Sequence, residues 1–118
     1  MISIGGENLM DLVSGAAAAD GLPQYVANPG GSPFNVAMAS GRQGQKVAYL
    51  TPVSEDALGA LLAERLVESK VTLAAGRVPH PTSLAVVSIT DGIPSYAFHR
   101  NGTAERQVTN QALHNDMP

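Results

Sequence analysis

The sequence contains no cysteine and no tryptophan, and aromatic residues occupy only 4% of its 118 positions. Without cysteine, the chain can form neither a disulfide framework nor a thiolate metal site. No apolar run approaches the roughly 20 residues that a helix needs to cross a bilayer. The first six residues lack the basic and apolar segments of a signal peptide. We therefore expect a cytoplasmic protein with no membrane partner.

Charge is also sparse. Charged residues make up 14% of the chain, the net charge is -3, and Lys and Arg form no run. A nucleic-acid surface needs a clustered positive patch, so we expect no nucleic-acid partner. Hydrophobic residues make up 44% of the chain. This composition predicts one small globular domain with an aliphatic core.

Strand-like and helix-like segments alternate through the first two thirds of the chain. A near-continuous apolar run over 46–53 is typical of a parallel strand that is covered on both faces. A leucine stripe at helical spacing follows Ser54, which can cap the helix, and Glu55 and Asp56 supply negative charge in its first turn. The order strand, helix, strand, helix predicts an α/β layer, which we assign to about 1–13 and 29–78.

Two glycines, Gly30 and Gly31, lead into the first predicted helix. Ser32 is a suitable N-cap, and Pro33 suits the first helical position because its missing N–H costs nothing there. Glycine lets backbone approach a ligand closely, and it can act as a hinge. A tight turn that only reverses the chain is the alternative interpretation.

A hairpin is predicted over 83–100, because Asp91-Gly92 between two strand-like segments is a strong signal for a two-residue turn. Alternation places Tyr96, Phe98 and Arg100 on one face of its second strand. The tight turn also sets the register, with Phe98 opposite Ala85 and Arg100 opposite Ser83. With a short strand over about 22–28, the hairpin forms a small antiparallel sheet apart from the layer.

Several blocks of the chain, in order, resemble the PfkB or ribokinase-like sugar kinases, and the resemblance covers residues 1 to about 110. One family signature is a diglycine followed by Asn, a small residue and a later Gly. Ser54 stands where that signature usually ends in Gly, as it does in many fructokinase-like members. The matching residues and blocks are Gly6–Asp11, Gly30, Gly31, Asn35, Ala37, Gly44, Val53–Gly59, Pro81–Val87 and Tyr96–Ala104.

The resemblance implies the N-terminal part of a ribokinase-like α/β fold: a central, mostly parallel sheet with flanking helices and a small antiparallel β lid. It implies an ATP-dependent carbohydrate kinase that phosphorylates a sugar hydroxyl, with fructokinase-like activity favoured. The alternative within the family is a 2-keto-3-deoxygluconate kinase, because Arg100 could pair with the carboxylate of that substrate.

The resemblance also assigns substrate-binding roles. Asp11 and Asn35 would exchange hydrogen bonds with sugar hydroxyls. Gly30 and Gly31 would form the hinge and the close backbone contact with the sugar. Phe98 and Arg100 would reach over the substrate from the lid.

Members of this family are more than twice as long as this chain. Their catalytic aspartate, in a Gly-x-Gly-Asp motif, and their ATP and Mg²⁺ sites lie in a C-terminal half that nothing here matches. We therefore expect a truncated kinase that is inactive alone, with no catalytic, cofactor-binding or metal-binding residue in these 118 positions. A different class is a non-catalytic binding module, in which the hairpin edge could pair with a second copy to form a homodimer.

Overall fold

The computed structural model describes residues 1–118 and has a mixed α/β architecture. The nine strands, β1 to β9 in chain order, span Ile2–Ile4, Leu9–Ser14, Tyr25–Gly30, Val47–Tyr49, Val53–Ser54, Val71–Leu73, Arg77–Val78, Ser83–Thr90 and Ile93–His99. The helices α1, α2 and α3 span Ser32–Arg42, Ala57–Glu68 and Asn110–Asp116, and a 3₁₀ turn spans Ala104–Arg106. None of the helices combines the length and apolar character that crossing a membrane requires.

The central sheet is parallel, with the strand order β1-β4-β6. Helices α1 and α2 pack on it, and the core between them is continuous. Phe34 of α1 and Tyr49 of β4 meet edge to face with their ring centroids 6.4 Å apart, and Leu62 and Leu66 of α2 are fully buried beside them. The predicted α/β layer is confirmed.

The second sheet has four strands in the order β3-β2-β8-β9. Strands β2 and β8 are parallel, whereas both outer pairs are antiparallel. The turn between β8 and β9 has positive φ at Asp91 and Gly92, as a type I′ hairpin requires. The predicted pairing of Phe98 with Ala85 is confirmed. The same register would put Arg100 opposite Ser83, but the ladder ends one residue earlier, at the pair of Leu84 with His99.

Strand β2 lies in this second sheet, although its residues were assigned to the central layer from the sequence. Its apolar pattern is that of any half-buried strand, so the pattern alone does not reveal which sheet it joins. Strand β3 begins later than predicted, at Tyr25, and continues to Gly30.

Both predicted helix caps are shifted. Helix α1 begins at Ser32 itself, with Gly31 in the cap position and no side-chain cap. Helix α2 is capped by Asp56 instead of Ser54, because the Asp56 carboxylate accepts from the Gly59 amide at 2.8 Å.

Asp56 also holds the start of β8. Its carboxylate accepts from the Thr82 amide at 2.8 Å and from the Thr82 hydroxyl at 2.6 Å. Burial alone would raise the pKa of Asp56, but the hydrogen bonds from Thr82, Gly59 and Ser54 outweigh burial and lower it. One carboxylate therefore joins the layer to the second sheet.

A set of hydrogen-bonded residues, which we call the junction cluster, fixes the connection between β1 and β2. Its members are Gly6, Asn8, Tyr49, Thr51 and Pro52. The Tyr49 hydroxyl donates to the Gly6 carbonyl at 2.6 Å and accepts from Asn8 Nδ2 at 3.2 Å. Asn8 Nδ2 also donates to the Pro52 carbonyl at 3.1 Å, and the Gly6 amide donates to Thr51 Oγ1 at 2.8 Å. The chain therefore crosses from one sheet to the other in a conformation held by side chains of the central layer.

The junction cluster predicts a large effect of removing one oxygen. We expect Tyr49→Phe to lower the free energy of unfolding by about 1–3 kcal/mol, because the buried Asn8 amide and Gly6 carbonyl lose a partner. The matched control is Tyr25→Phe on an exposed part of β3, which should change stability by less than about 0.5 kcal/mol. Equal effects of the two variants in urea denaturation would contradict this role.

The buried Tyr49 hydroxyl should also make the folded chain less stable at high pH. Burial raises the pKa of Tyr49 from 10.0 to about 12. The unfolded chain therefore loses this proton more readily, so the stabilisation is complete below pH 10 and falls as the pH rises toward 12. We expect the chain to lose about 2–3 kcal/mol across this interval and Tyr49→Phe to lose less. Parallel stability–pH curves for the two proteins would contradict the assignment.

Candidate functional site

Four residues form a row across one face of the second sheet. The register places Asn28, Asp11, Ala85 and Phe98 side by side on β3, β2, β8 and β9. Residues in register on neighbouring strands point to the same face, and two strand spacings separate Asp11 from Phe98 by about 10 Å. A carboxylate and an aromatic ring therefore flank a small buried alanine. We call this surface the Asp11 face.

The Asp11 carboxylate lies against the backbone of Gly30. A Cβ at Gly30 would be 2.5 Å from Asp11 Oδ2, so only glycine leaves room for the carboxylate in this position. Asp11 is half-buried, and no hydrogen bond joins its carboxylate to another residue. Both oxygens therefore remain able to accept hydrogen bonds from a ligand.

Gly31 brings the start of α1 against the connection between β1 and β2. Its φ is 103°, and a Cβ there would collide with the Glu7 carbonyl oxygen. The Gly31 carbonyl accepts from the Asn35 amide at 2.9 Å, which begins the helix. The Asn35 side chain is exposed on this first turn. The structure thus brings Asp11, Gly30 and Gly31 together, with Asn35 one helical turn away.

Arg100 is held by two carboxylates that the sequence did not reveal. Its Nε and Nη2 donate to Glu105 at 2.6 and 3.2 Å, and Nη2 lies 3.5 Å from Glu7 Oε2. Hydrogen bonding to Glu105 raises the pKa of Arg100, although burial opposes the rise. Glu105 is itself buried, and it accepts from the Ser83 hydroxyl at 2.8 Å. Glu105 lies in a polar segment without periodicity, so no pattern pointed to this pairing.

Phe98 is stacked on Tyr96 and both rings are open to solvent. Their planes are 8° apart with centroids 6.2 Å apart, and each residue is 61% exposed. Tyr96 occupies the next row on the same face, opposite Val87. The predicted face of β9 therefore presents two aromatic rings beside Asp11.

The largest cleft encloses only part of the predicted site. Its volume is about 450 Å³. Asp11, Gly30, Gly31 and Asn35 do not line it. The six predicted residues thus form two groups, which are connected by the register of the sheet and by the contact of Arg100 with Glu7. The cleft is lined by Pro81, Thr82, Leu84, Phe98, His99, Arg100, Asn101 and Thr103.

The residues around the diglycine do not fit a triphosphate or its metal ion. A helix N-terminus can bind phosphate, but here the Glu7 carbonyl oxygen packs on Gly31 and the Asp11 carboxylate packs on Gly30. These oxygens would repel a phosphate group. The chain also contains no group of three or more His, Asp or Glu side chains that could hold a metal ion. The site instead offers acceptors, an aromatic surface and one guanidinium, which suit a polyhydroxylated ligand.

Comparison with known proteins shows the family to which this chain belongs. Residues 6–117 match the pfkB family of carbohydrate kinases. The chain is 34% identical over 113 residues to a fructokinase from Rhizobium leguminosarum bv. trifolii, an alignment that covers 88% of this chain and 35% of the relative.

Solved structures of fructokinases superpose on this chain and agree with the family match. A fructokinase from Xylella fastidiosa superposes with a TM-score of 0.84 at 27% identity, covering 94% of this chain and 37% of that one. The same enzyme with bound ATP gives a TM-score of 0.83. The predicted ribokinase-like α/β fold is confirmed, and the chain spans about a third of the length of these relatives.

Two glycines with similar φ angles allow the cost of a steric clash to be compared with the cost of a positive φ alone. Gly31 and Gly44 have φ of 103° and 91°, but a Cβ at Gly44 would meet no atom within 4 Å. We expect Gly44→Ala to cost about 1–2 kcal/mol of stability. We expect Gly31→Ala to cost at least about 3 kcal/mol, because the Glu7 backbone must also move. Equal losses in urea denaturation would show that the Glu7 contact is not restrictive.

Proposed function

The chain belongs to the pfkB family of carbohydrate kinases, and on that premise we propose that it provides the sugar-binding part of an ATP-dependent kinase. The acceptor would be a sugar hydroxyl, and the fructokinases among its relatives favour a fructokinase-like substrate. The observation that carries the proposal is the half-buried Asp11 carboxylate, which lies against Gly30 without a partner. A partly desolvated carboxylate needs hydrogen-bond donors, and sugar hydroxyls supply several.

Each predicted residue has a distinct task in this proposal. Asp11 accepts from two neighbouring hydroxyls, and Gly30 lets the ligand approach the backbone. Asn35 contributes an amide that can both donate and accept. Phe98 covers the apolar C–H face of the sugar, and Arg100 donates to a hydroxyl at the end of the Asp11 face.

We further propose that the second sheet acts as a lid over the layer. Strand β2 then belongs to the lid together with β3, β8 and β9, and the layer comprises the central sheet with α1 and α2. Gly31 lies between the two parts and can serve as the hinge, since its backbone angles are outside the range of most residues. A closed lid would exclude water, which otherwise competes with the sugar as phosphoryl acceptor.

ATP would supply the phosphoryl group and Mg²⁺ would neutralise its charge. The residues around the diglycine do not fit either group, so we confine this chain's part in the proposed reaction to holding the sugar. We accordingly propose that these 118 residues alone do not turn over ATP in the presence of a sugar.

The sugar-binding role predicts a defined NMR response. Titration of the ¹⁵N-labelled chain with D-fructose should shift the amides of Asp11, Gly30 and Phe98. Asp11→Asn should weaken binding about tenfold or more, because a charged acceptor contributes about 1.5–3 kcal/mol. The control is Asp20→Asn, an exposed position where the amide oxygen can still accept from Leu22. Absence of shifts in the wild type, or equal affinity of both variants, would overturn the role.

A second candidate function is assembly into a homodimer through β9. The observation in its favour is the set of exposed apolar side chains around the hairpin, because such patches often mark protein interfaces. Strand β9 is also an unpaired edge that could accept a strand from a second copy. The exposed apolar residues are Ile89, Ile93, Tyr96 and Phe98.

Sedimentation velocity tests the assembly. We expect the wild type to form dimers that dissociate in Tyr96→Ser, which removes an aromatic ring from the exposed patch. Tyr25→Ser is the matched control, since Tyr25 lies on the opposite face of the second sheet. A monomeric wild type at the concentrations of the NMR titration would rule out this function.

A further inference from the structure

Arg100 is the only cation among the predicted substrate residues, and its charge is already matched by two carboxylates. One edge of the guanidinium, formed by Nε and Nη2, makes two hydrogen bonds with Glu105. Glu7 adds a second carboxylate at 3.5 Å from the same Nη2. The other edge, formed by Nη1 and the second hydrogen of Nη2, is left for a ligand, and Glu7 Oε2 lies beside the Nη2 end of this edge.

The surroundings of Arg100 also carry an excess of negative charge. Asp11 lies on the same face, so three carboxylates accompany a single guanidinium. An incoming carboxylate would meet this negative field, and it could obtain the paired geometry only by competing with Glu7 at the Nη1–Nη2 edge or by displacing Glu105. Glu105 is only 7% exposed and also accepts from Ser83, so breaking its pair would leave a buried charge without compensation.

We propose, on the basis of the sugar-binding function above, that Glu105 and Glu7 determine substrate specificity. They leave Arg100 able to donate to the neutral hydroxyls of a sugar, and they disfavour its pairing with the carboxylate of a sugar acid. Glu105 fixes the guanidinium with its outer amine available as a donor. Glu7 neutralises the remaining charge at the exposed side. The site thereby accepts a neutral sugar such as a ketohexose and rejects 2-keto-3-deoxygluconate, which carries a carboxylate.

A merely structural role for these carboxylates would alter stability and would not alter the ratio of two affinities. The readout is therefore the preference of the folded chain for D-fructose over 2-keto-3-deoxy-D-gluconate, measured by NMR titration. Both ligands are polyhydroxylated, so loss of hydroxyl contacts affects both, whereas loss of a nearby negative charge favours only the acid.

Glu7→Gln is the first variant, because Glu7 is partly exposed and its side chain supports no buried bond. We expect the wild type to prefer fructose and Glu7→Gln to shift the ratio about threefold or more toward the acid. Glu105→Gln, which keeps the shape of the buried side chain, should shift it about tenfold. Glu64→Gln on the exposed side of α2 removes the same charge far from the Asp11 face and should leave the ratio unchanged.

The outcomes separate this inference from the function on which it rests. Fructose binding with the same ratio in Glu7→Gln, Glu105→Gln and Glu64→Gln overturns the specificity role and leaves sugar binding intact. A wild type that prefers the acid also overturns it. A wild type that binds neither ligand overturns the sugar-binding function, and the inference with it. Should Glu105→Gln fail to fold, the comparison of Glu7→Gln with Glu64→Gln decides.

Discussion

The close contact between the Gly31 backbone and the Glu7 carbonyl is the constraint on which the arrangement of the two sheets depends. It fixes the point where β3 enters α1 against the point where β1 passes into β2. The contact requires both a positive φ and the absence of a Cβ. The junction cluster holds the other side, because Asn8 and Tyr49 bury the polar groups of this crossing with their partners satisfied. The crossing between the two sheets is thus fixed twice, by the backbone contact of Gly31 with Glu7 and by the side-chain hydrogen bonds of Asn8 and Tyr49.

The site follows from this crossing. Because β2 leaves the junction directly, Asp11 lies only three residues beyond Asn8, and β3 returns beside it to deliver Gly30. The Asp11 carboxylate is therefore placed by the same elements that join the layer to the second sheet. A small rotation about Gly31 would move Asp11 and Phe98 together, since the register of the sheet connects them. The proposed substrate contacts and the closing motion of the proposed lid would consequently be linked, because they belong to one sheet.

Local sequence patterns correctly predicted the features that depend on neighbouring residues, namely the hairpin register and the position of helix α2. The Asp91-Gly92 turn set the register that places Phe98 opposite Ala85, and the leucine stripe located α2. The family resemblance supplied Asp11, which no periodicity distinguishes from a solvated strand residue. The assignment of β2 to its sheet, the Asn8–Tyr49 pair and the Glu105–Arg100 pair were not predictable, because each depends on contacts between segments that are distant or irregular in sequence. Even the cap of α2 was misplaced, since Ser54 and Asp56 are both good caps and the bonds to Thr82 favour Asp56.

The two candidate uses of the hairpin compete for the same surface. Tyr96 and Phe98 form a stacked pair on the Asp11 face, so a second copy packed face to face would cover the residues that a sugar must reach. Pairing through the edge of β9 does not have this cost, because edge hydrogen bonds lie in the plane of the sheet and leave both faces free. Sugar binding and assembly are therefore compatible only if copies meet edge to edge. In that arrangement each aromatic pair would remain available to a ligand, and the dimer would depend on the edge of β9 and not on Tyr96, so dissociation in Tyr96→Ser would indicate the face-to-face arrangement.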